Sequence, residues 1–242
     1  MECRKPKNVD IHYYSDRLKN KLNNLRTARA AIVEAPSGYG KTTAVRDYLD
    51  GNVHMQKSSV YWFTATDESP ETAFHRLCRE IEKIDGRAAE RLLRIGFPNA
   101  VTIGEACEAL RSIRCDRESW LVIDNFQFLN DSLHPSFLTG LLEHGGLDLH
   151  IVILTQMLGR DVHTTIAGRG FLHITASDLR MEVEDVMRYY ALAGADITRE
   201  DAQIVAHYTE GWVIAVYLQL KAFQETGTFS DTAILSLMEH LV

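Results

Sequence analysis

Short apolar runs recur along the chain up to Ile174, at Ala30–Glu34, Ser59–Thr64, Trp120–Asp124, His150–Thr155 and Phe171–Ile174. Each is bounded by polar or Gly-bearing segments, which suits central strands covered on both faces. The stretches between them read as helices over Thr42–Leu49, Pro70–Ile84, Thr102–Ile113 and His134–His144. Strands alternating with helices predict an α/β fold in which crossover helices flank a central parallel sheet. After Asp178 the pattern turns to helices alone, Val183–Ala193, Arg199–Thr209 and Gly211–Phe223, with a last amphipathic piece from Thr232. The expected organisation is therefore an α/β domain over residues 1–176 and a smaller all-helical domain over 177–242. No internal repeat or low-complexity segment interrupts it.

The first strand leads into Ala35-Pro36-Ser37-Gly38-Tyr39-Gly40-Lys41-Thr42-Thr43, and the first expected helix follows at once. Small residues before a Lys let successive backbone N–H groups turn inward around a phosphate chain, and the next helix adds the positive end of its dipole. Pro36 to Thr43 are thus the expected nucleotide-binding residues, with Lys41 reaching the β- and γ-phosphates and Thr42 holding Mg²⁺ through its hydroxyl. The full motif opens on Gly, and Ala35 stands there, a relaxed form that is possible because only the later glycines meet unusual backbone angles or close phosphate approach. Tyr39 either packs beside the phosphates or sits at the exposed tip of the loop. The fold class implied is that of the P-loop NTPases.

The run Trp120-Leu121-Val122-Ile123-Asp124-Asn125 carries the second chemical feature. A buried strand ending in an acid delivers a carboxylate to the C-terminal edge of the sheet, beside the loop, where Asp124 joins Thr42 as the expected metal-binding pair. Hydrolases of this type commonly place a second acid next, to polarise the attacking water. Here Asn125 stands in that place, able to orient water but not to accept its proton.

Composition narrows the picture. The chain has 242 residues, 45% hydrophobic and 24% charged, with no apolar run near the length of about 18 that a membrane span requires. Met1 to Asp10 are polar and basic without an apolar core, so no secretory signal is expected, and the location expected is cytoplasmic. The four cysteines, Cys3, Cys78, Cys107 and Cys115, are widely spaced, which argues against a zinc site or a disulfide framework. A net charge of −7 speaks against nucleic-acid binding by these residues, since phosphate contacts require clustered Lys and Arg.

Several segments in order resemble the signal-transduction ATPases with numerous domains, and more narrowly the large ATP-binding regulators of the LuxR family, the group of the maltose-regulon activator. They are Asp16-Arg17-Leu18 with Leu22, the loop itself, Val60-Tyr61-Trp62-Phe63 with Asp67-Glu68-Ser69-Pro70, Leu121 to Phe126, Leu179 before an acidic helix start, and Glu210-Gly211-Trp212 leading to Leu218-Gln219-Leu220. The resemblance implies a module that binds ATP or ADP with Mg²⁺ and whose nucleotide state governs self-association, in proteins that regulate transcription. It also implies an inducer, small molecule or protein, and DNA, each bound by domains beyond Val242, so that the chain corresponds to the N-terminal portion. Three departures bear on activity. Asn125 replaces the second acid, Leu154-Thr155-Gln156-Met157 lacks the usual Arg unless Arg160 substitutes, and Val213 follows Gly211-Trp212 where the family has Pro. Arg160 and Arg169 are the candidates for γ-phosphate contact, and Arg17 lies either near adenine or on the surface.

Slow or absent hydrolysis in a regulatory switch is thus the first reading. A small-molecule kinase on the same loop is the second, although Arg180, Arg188 and Arg199 form no obvious lid cluster. A nucleotide-binding interaction module without turnover is the third.

Overall fold

The strands β1 (Ala30–Glu34), β2 (Ser59–Thr64), β3 (Ser119–Asp124), β4 (Leu149–Thr155) and β5 (Leu172–Thr175) form one parallel sheet in the order β2-β3-β4-β1-β5. The computed structural model describes residues 11–56, 58–130, 132–144, 148–159 and 169–227. Every residue of β3 and β4 is buried, whereas β2 at the edge is mostly half-buried, as its place in the order requires. Parallel pairing aligns the strand ends: Glu34 lies opposite Thr155 and Thr175, and Asp124 opposite Thr64. The C-terminal edge of the sheet therefore collects the end of the first strand, the acid of the third and the hydroxyl of the fourth.

The helices are α1 (Asp16–Asn23), α2 (Lys41–Gln56), α3 (Pro70–Glu82), α4 (Gly86–Ile95), α5 (Ile103–Arg111), α6 (Gln127–Asn130), α7 (Pro135–His144) and α8 (Ala176–Leu179). Local chemistry accounts for their ends. Ser69 caps α3 by accepting from Thr72 N at 3.2 Å, and Pro70 supplies a preset φ at its first turn. Helix α4 was not expected from the sequence. Asp85 caps it by accepting from Arg87 N and Ala88 N, and its other oxygen accepts from Arg114 N at 2.9 Å, fastening α4 to the segment after α5. Burial pushes the Asp85 carboxyl up, but the three backbone donors together hold it below its ordinary value. On one face of the sheet, Phe74 of α3 meets Phe97 and Phe137 edge-on at 5.8 and 5.6 Å, above Leu121, Ile123, Ile151 and Ile153.

Contacts divide the chain into two compact units, Asn20–Asp178 and a second made of the segment up to Lys19 with the chain from Leu179. The α/β unit is a P-loop NTPase fold. The second unit contains α9 (Val183–Leu192), α10 (Arg199–Thr209) and α11 (Val213–Thr226), packed around Val186, Tyr190, Ala202, Val205, Val216 and Leu220. The N-terminal segment, expected within residues 1–176, groups here because Tyr13 Oη donates to Asp185 at 2.8 Å, Arg188 pairs with Asp16 at 3.3 Å, and Arg17 binds Glu182 and the Arg180 carbonyl. The amphipathic piece from Thr232 lies outside the described residues.

Thr198 and Asp201 form a reciprocal capping box at the start of α10, with Thr198 Oγ1 accepting from Asp201 N at 3.1 Å and Thr198 N donating to Asp201 at 3.0 Å. Thr198→Ala is expected to lower the unfolding free energy by about 1 kcal/mol, measured by urea denaturation. No helix among the described residues is long and apolar enough to cross a membrane.

Candidate functional site

The loop leaves β1 with Ala35 N donating to Thr155 O of β4 at 3.2 Å, which holds its start in the plane of the sheet. Pro36 and Ser37 are exposed, and Gly38, Tyr39, Gly40, Lys41, Thr42 and Thr43 are half-buried. Gly38 and Gly40 have φ of 77° and 76°, left-handed values that a side chain resists, so these two glycines are required by the backbone path. Tyr39 lies between them, neither fully exposed nor enclosed. Helix α2 begins at Lys41, and Ala44 N donates to Gly40 O at 2.9 Å, so the loop runs into the helix without a break. The first turn of a helix leaves backbone N–H groups without intrahelical partners, which suits an anion at the loop.

Lys41 Nζ folds over the loop and donates to the carbonyls of Ala35 at 2.6 Å and Pro36 at 3.0 Å. Burial lowers its pKa, against which the negative charge of Asp124 pulls upward. Asp124, only 5% exposed, accepts from Thr42 Oγ1 at 3.1 and 3.3 Å and from Asn125 N at 2.9 Å. Lys41, Thr42 and Asp124, expected together from the sequence, are thus brought into one cluster. Asn125 has a φ of 57°, and Asn is among the few side chains that tolerate this region. Its left-handed turn moves the chain off β3 immediately after the buried acid.

Beyond these lies a set of contacts the motifs did not announce. Phe126 N donates to Leu154 O at 2.9 Å, and Gln127 Oε1 accepts from Gln156 N at 3.2 Å, so the turn after Asp124 is fastened to the end of β4. Glu34 accepts from Leu158 N at 3.0 Å and meets His173 Nε2 at 2.9 Å, joining the end of β1 to β5 and to the segment after β4. A Glu closing an apolar strand one residue before the loop was the available signal for the latter. Arg169 is ion-paired with Glu143, and Arg160 lies outside the described residues. Arg188 and Arg199 are engaged with Asp16 and Glu184 at 3.3 and 2.6 Å.

These residues fit a magnesium nucleotide. A hydroxyl and a buried carboxylate within 3.3 Å of each other are hard oxygen donors of the kind Mg²⁺ selects, and the ammonium beside them stands over a glycine-rich turn. Elsewhere among the described residues, no group of three or more His, Cys, Asp or Glu is placed to hold a metal.

A family model described as an AAA domain matches residues 24–156, more than half of the chain. Over 95% of its length the chain is 21% identical to the HTH-type transcriptional regulator MalT of Klebsiella pneumoniae, of which it covers 26%. It is 25% identical over 86% of its length to the serine/threonine-protein kinase PknK of Mycobacterium tuberculosis, covering 19% of that protein. The chain thus spans about a quarter or less of the curated relatives it matches. Among solved structures, the Signal Transduction ATPase with Numerous Domains protein PH0952 of Pyrococcus horikoshii, which carries a tetratricopeptide repeat sensor, superimposes with a TM-score of 0.61 at 15% identity, over 97% of this chain and 33% of that one. The likeness read from the motifs is met both by the alignment with MalT and by this shared fold.

Proposed function

Because the chain belongs to the AAA domain family and is a P-loop module related to MalT, we propose that it is a nucleotide-operated regulatory switch that binds ATP or ADP with Mg²⁺. The observation that carries this reading is the cluster in which Lys41, Thr42 and Asp124 meet across the loop and the end of β3. Lys41 binds the β- and γ-phosphate oxygens, and the amides from Gly38 to Thr43 line the phosphate chain. Thr42 and Asp124 hold the metal, which when bound neutralises phosphate charge. Asn125 orients water but accepts no proton, so turnover is slow and resets the switch instead of driving metabolism. Exchange between the ATP and ADP states changes self-association and the response to an inducer in the cytoplasm. DNA contact belongs to a separate domain, in keeping with the net charge of −7.

Calorimetric titration of the purified chain with Mg-ATP and with ADP tests the reading. The expected result is micromolar or tighter binding, roughly −8 kcal/mol. Lys41→Ala is expected to weaken it by about a hundredfold, since charged hydrogen bonds to phosphate are lost. Absence of binding to either nucleotide, or equal affinity in the variant, overturns it. Light scattering with each nucleotide then reads self-association directly.

A further inference from the structure

The segment Thr64-Ala65-Thr66-Asp67-Glu68, by which the chain leaves β2, is held at three alternate residues by one side chain. Arg76, on the second turn of α3, donates to Thr64 O at 3.0 Å and to Thr66 Oγ1 at 3.2 Å, and is ion-paired with Glu68. Its guanidinium also lies over the Phe63 ring of β2, 5.4 Å from the centroid. The acceptors are fixed among themselves: Thr66 Oγ1 donates to Glu68 at 3.0 Å, and Glu68 N donates to Thr66 O at 2.9 Å. A planar guanidinium with five N–H groups can serve several acceptors at once in a set geometry, which an ammonium on a flexible stem cannot. The spacing of Asp67-Glu68-Ser69-Pro70 thereby gains a reason, because Ser69 and Pro70 start the helix that carries Arg76 back to the strand it follows.

β2 stands at the edge of the sheet, paired only with β3 among the described strands. An edge strand leaves carbonyls without a partner strand, and Arg76 takes the one at Thr64. Thr64 lies opposite Asp124 in the register, and the next residue, the fully buried Ala65, donates its N–H to Asp124 O at 2.9 Å. That bond closes the ladder between β2 and β3, for Asp124 ends its strand and the chain turns away through Asn125. The carboxylate that meets Thr42 Oγ1 at 3.1 Å therefore hangs from a backbone whose level is set from β2. We propose that Arg76 is a positioning residue for the Mg²⁺ site: by fixing the exit of β2 it holds Asp124 at the distance from Thr42 that lets the two share one cation. This rests on the magnesium-nucleotide reading above. Arg76 touches neither metal nor nucleotide and acts through Thr64, Ala65 and Asp124 alone.

The test measures the affinity for a non-hydrolysable ATP analogue with saturating Mg²⁺ and again with excess chelator, in the wild-type chain, Arg76→Met and Arg76→Lys, each checked for folding by circular dichroism. Groups that orient metal ligands change metal affinity by about 10- to 100-fold when removed, and Arg76 acts through backbone, so the low end applies. Arg76→Met is expected to weaken binding with Mg²⁺ by about tenfold while binding with chelator stays within about twofold. Arg76→Lys keeps the charge and loses the fork, and is expected to lower the ratio of the two affinities as far. A merely structural Arg76 would shift both conditions equally, so an unchanged ratio in either folded variant overturns the inference. A ratio lowered in Arg76→Met and restored in Arg76→Lys overturns it too, since charge and not position would then be at work. Should the wild-type chain bind no nucleotide, or bind it equally with and without Mg²⁺, the magnesium-nucleotide reading falls and this inference with it. Should Asp124→Asn lower the ratio while the Arg76 variants keep it, only the Arg76 assignment falls.

Discussion

Gly211→Ala is expected to destabilise the helical unit by about 3 kcal/mol, combining left-handed backbone strain with overpacking against fixed backbone. Gly211 has a φ of 72°, and a Cβ built there would lie 2.2 Å from Met181 O and 3.0 Å from Met181 N. Met181 cannot easily withdraw, because its N–H donates to Gly211 O at 2.9 Å and the two backbones are bound face to face. Gly194→Ala is the matched control: its φ is 75°, but a Cβ there meets nothing within 4 Å. It is expected to cost only the conformational part, about 1–2 kcal/mol. Urea denaturation followed by far-ultraviolet circular dichroism measures both. Equal losses in the two variants would show that Met181 shifts aside and that the close approach contributes nothing.

The second large effect concerns Asp124→Asn, which keeps the side-chain shape and removes the charge. The Mg²⁺-dependent part of ATP affinity is expected to fall by about 10- to 100-fold, the worth of a charge-assisted contact of about 1.5–3 kcal/mol. Binding measured with excess chelator is expected to change little, since Lys41 and the loop amides act on phosphate without the metal. Titrations with and without Mg²⁺ separate the two, and an equal loss in both would mean that Asp124 supports the loop and not a cation. The same variant removes the charge that pulls the Lys41 pKa up against burial, so the ammonium is expected to lose its proton at lower pH than in wild type. Nucleotide affinity in Asp124→Asn is therefore expected to weaken at a lower alkaline pH.

Much of the α/β unit is legible because each signal is local. The runs Ala30–Glu34 and Ser59–Thr64 appear as strands with the bounds their composition implies, and Arg199–Thr209 as a helix bracketed by Thr198 and Glu210. Four helices have no counterpart among those expected, and two of them, Gln127–Asn130 and Ala176–Leu179, are single turns. Asp16–Asn23 carries only the family-like segment Asp16-Arg17-Leu18 as a signal, and Gly86–Ile95 is bracketed by Asp85 as a cap and Gly96 as a stop without a strong apolar run between them. Helix α2 runs on to Gln56, seven residues beyond the expected Leu49, across a Gly51 that a propensity argument reads as a break.

The phosphate loop, its Lys41 and Thr42, and the acid closing the third apolar run were determined by sequence alone, because their chemistry depends on residue type at short spacing along one strand, turn or helix. Only the tertiary structure decided the strand order that sets β4 between β3 and β1. It also decided that residues 11–19 join helices more than 160 residues away, and that Gln127 Oε1 accepts from Gln156 N at the end of β4. These are pairings across long loops. Their closure is repaid by the burial of the whole sheet and by hydrogen bonds between distant peptides, and no local pattern records which distant partner wins.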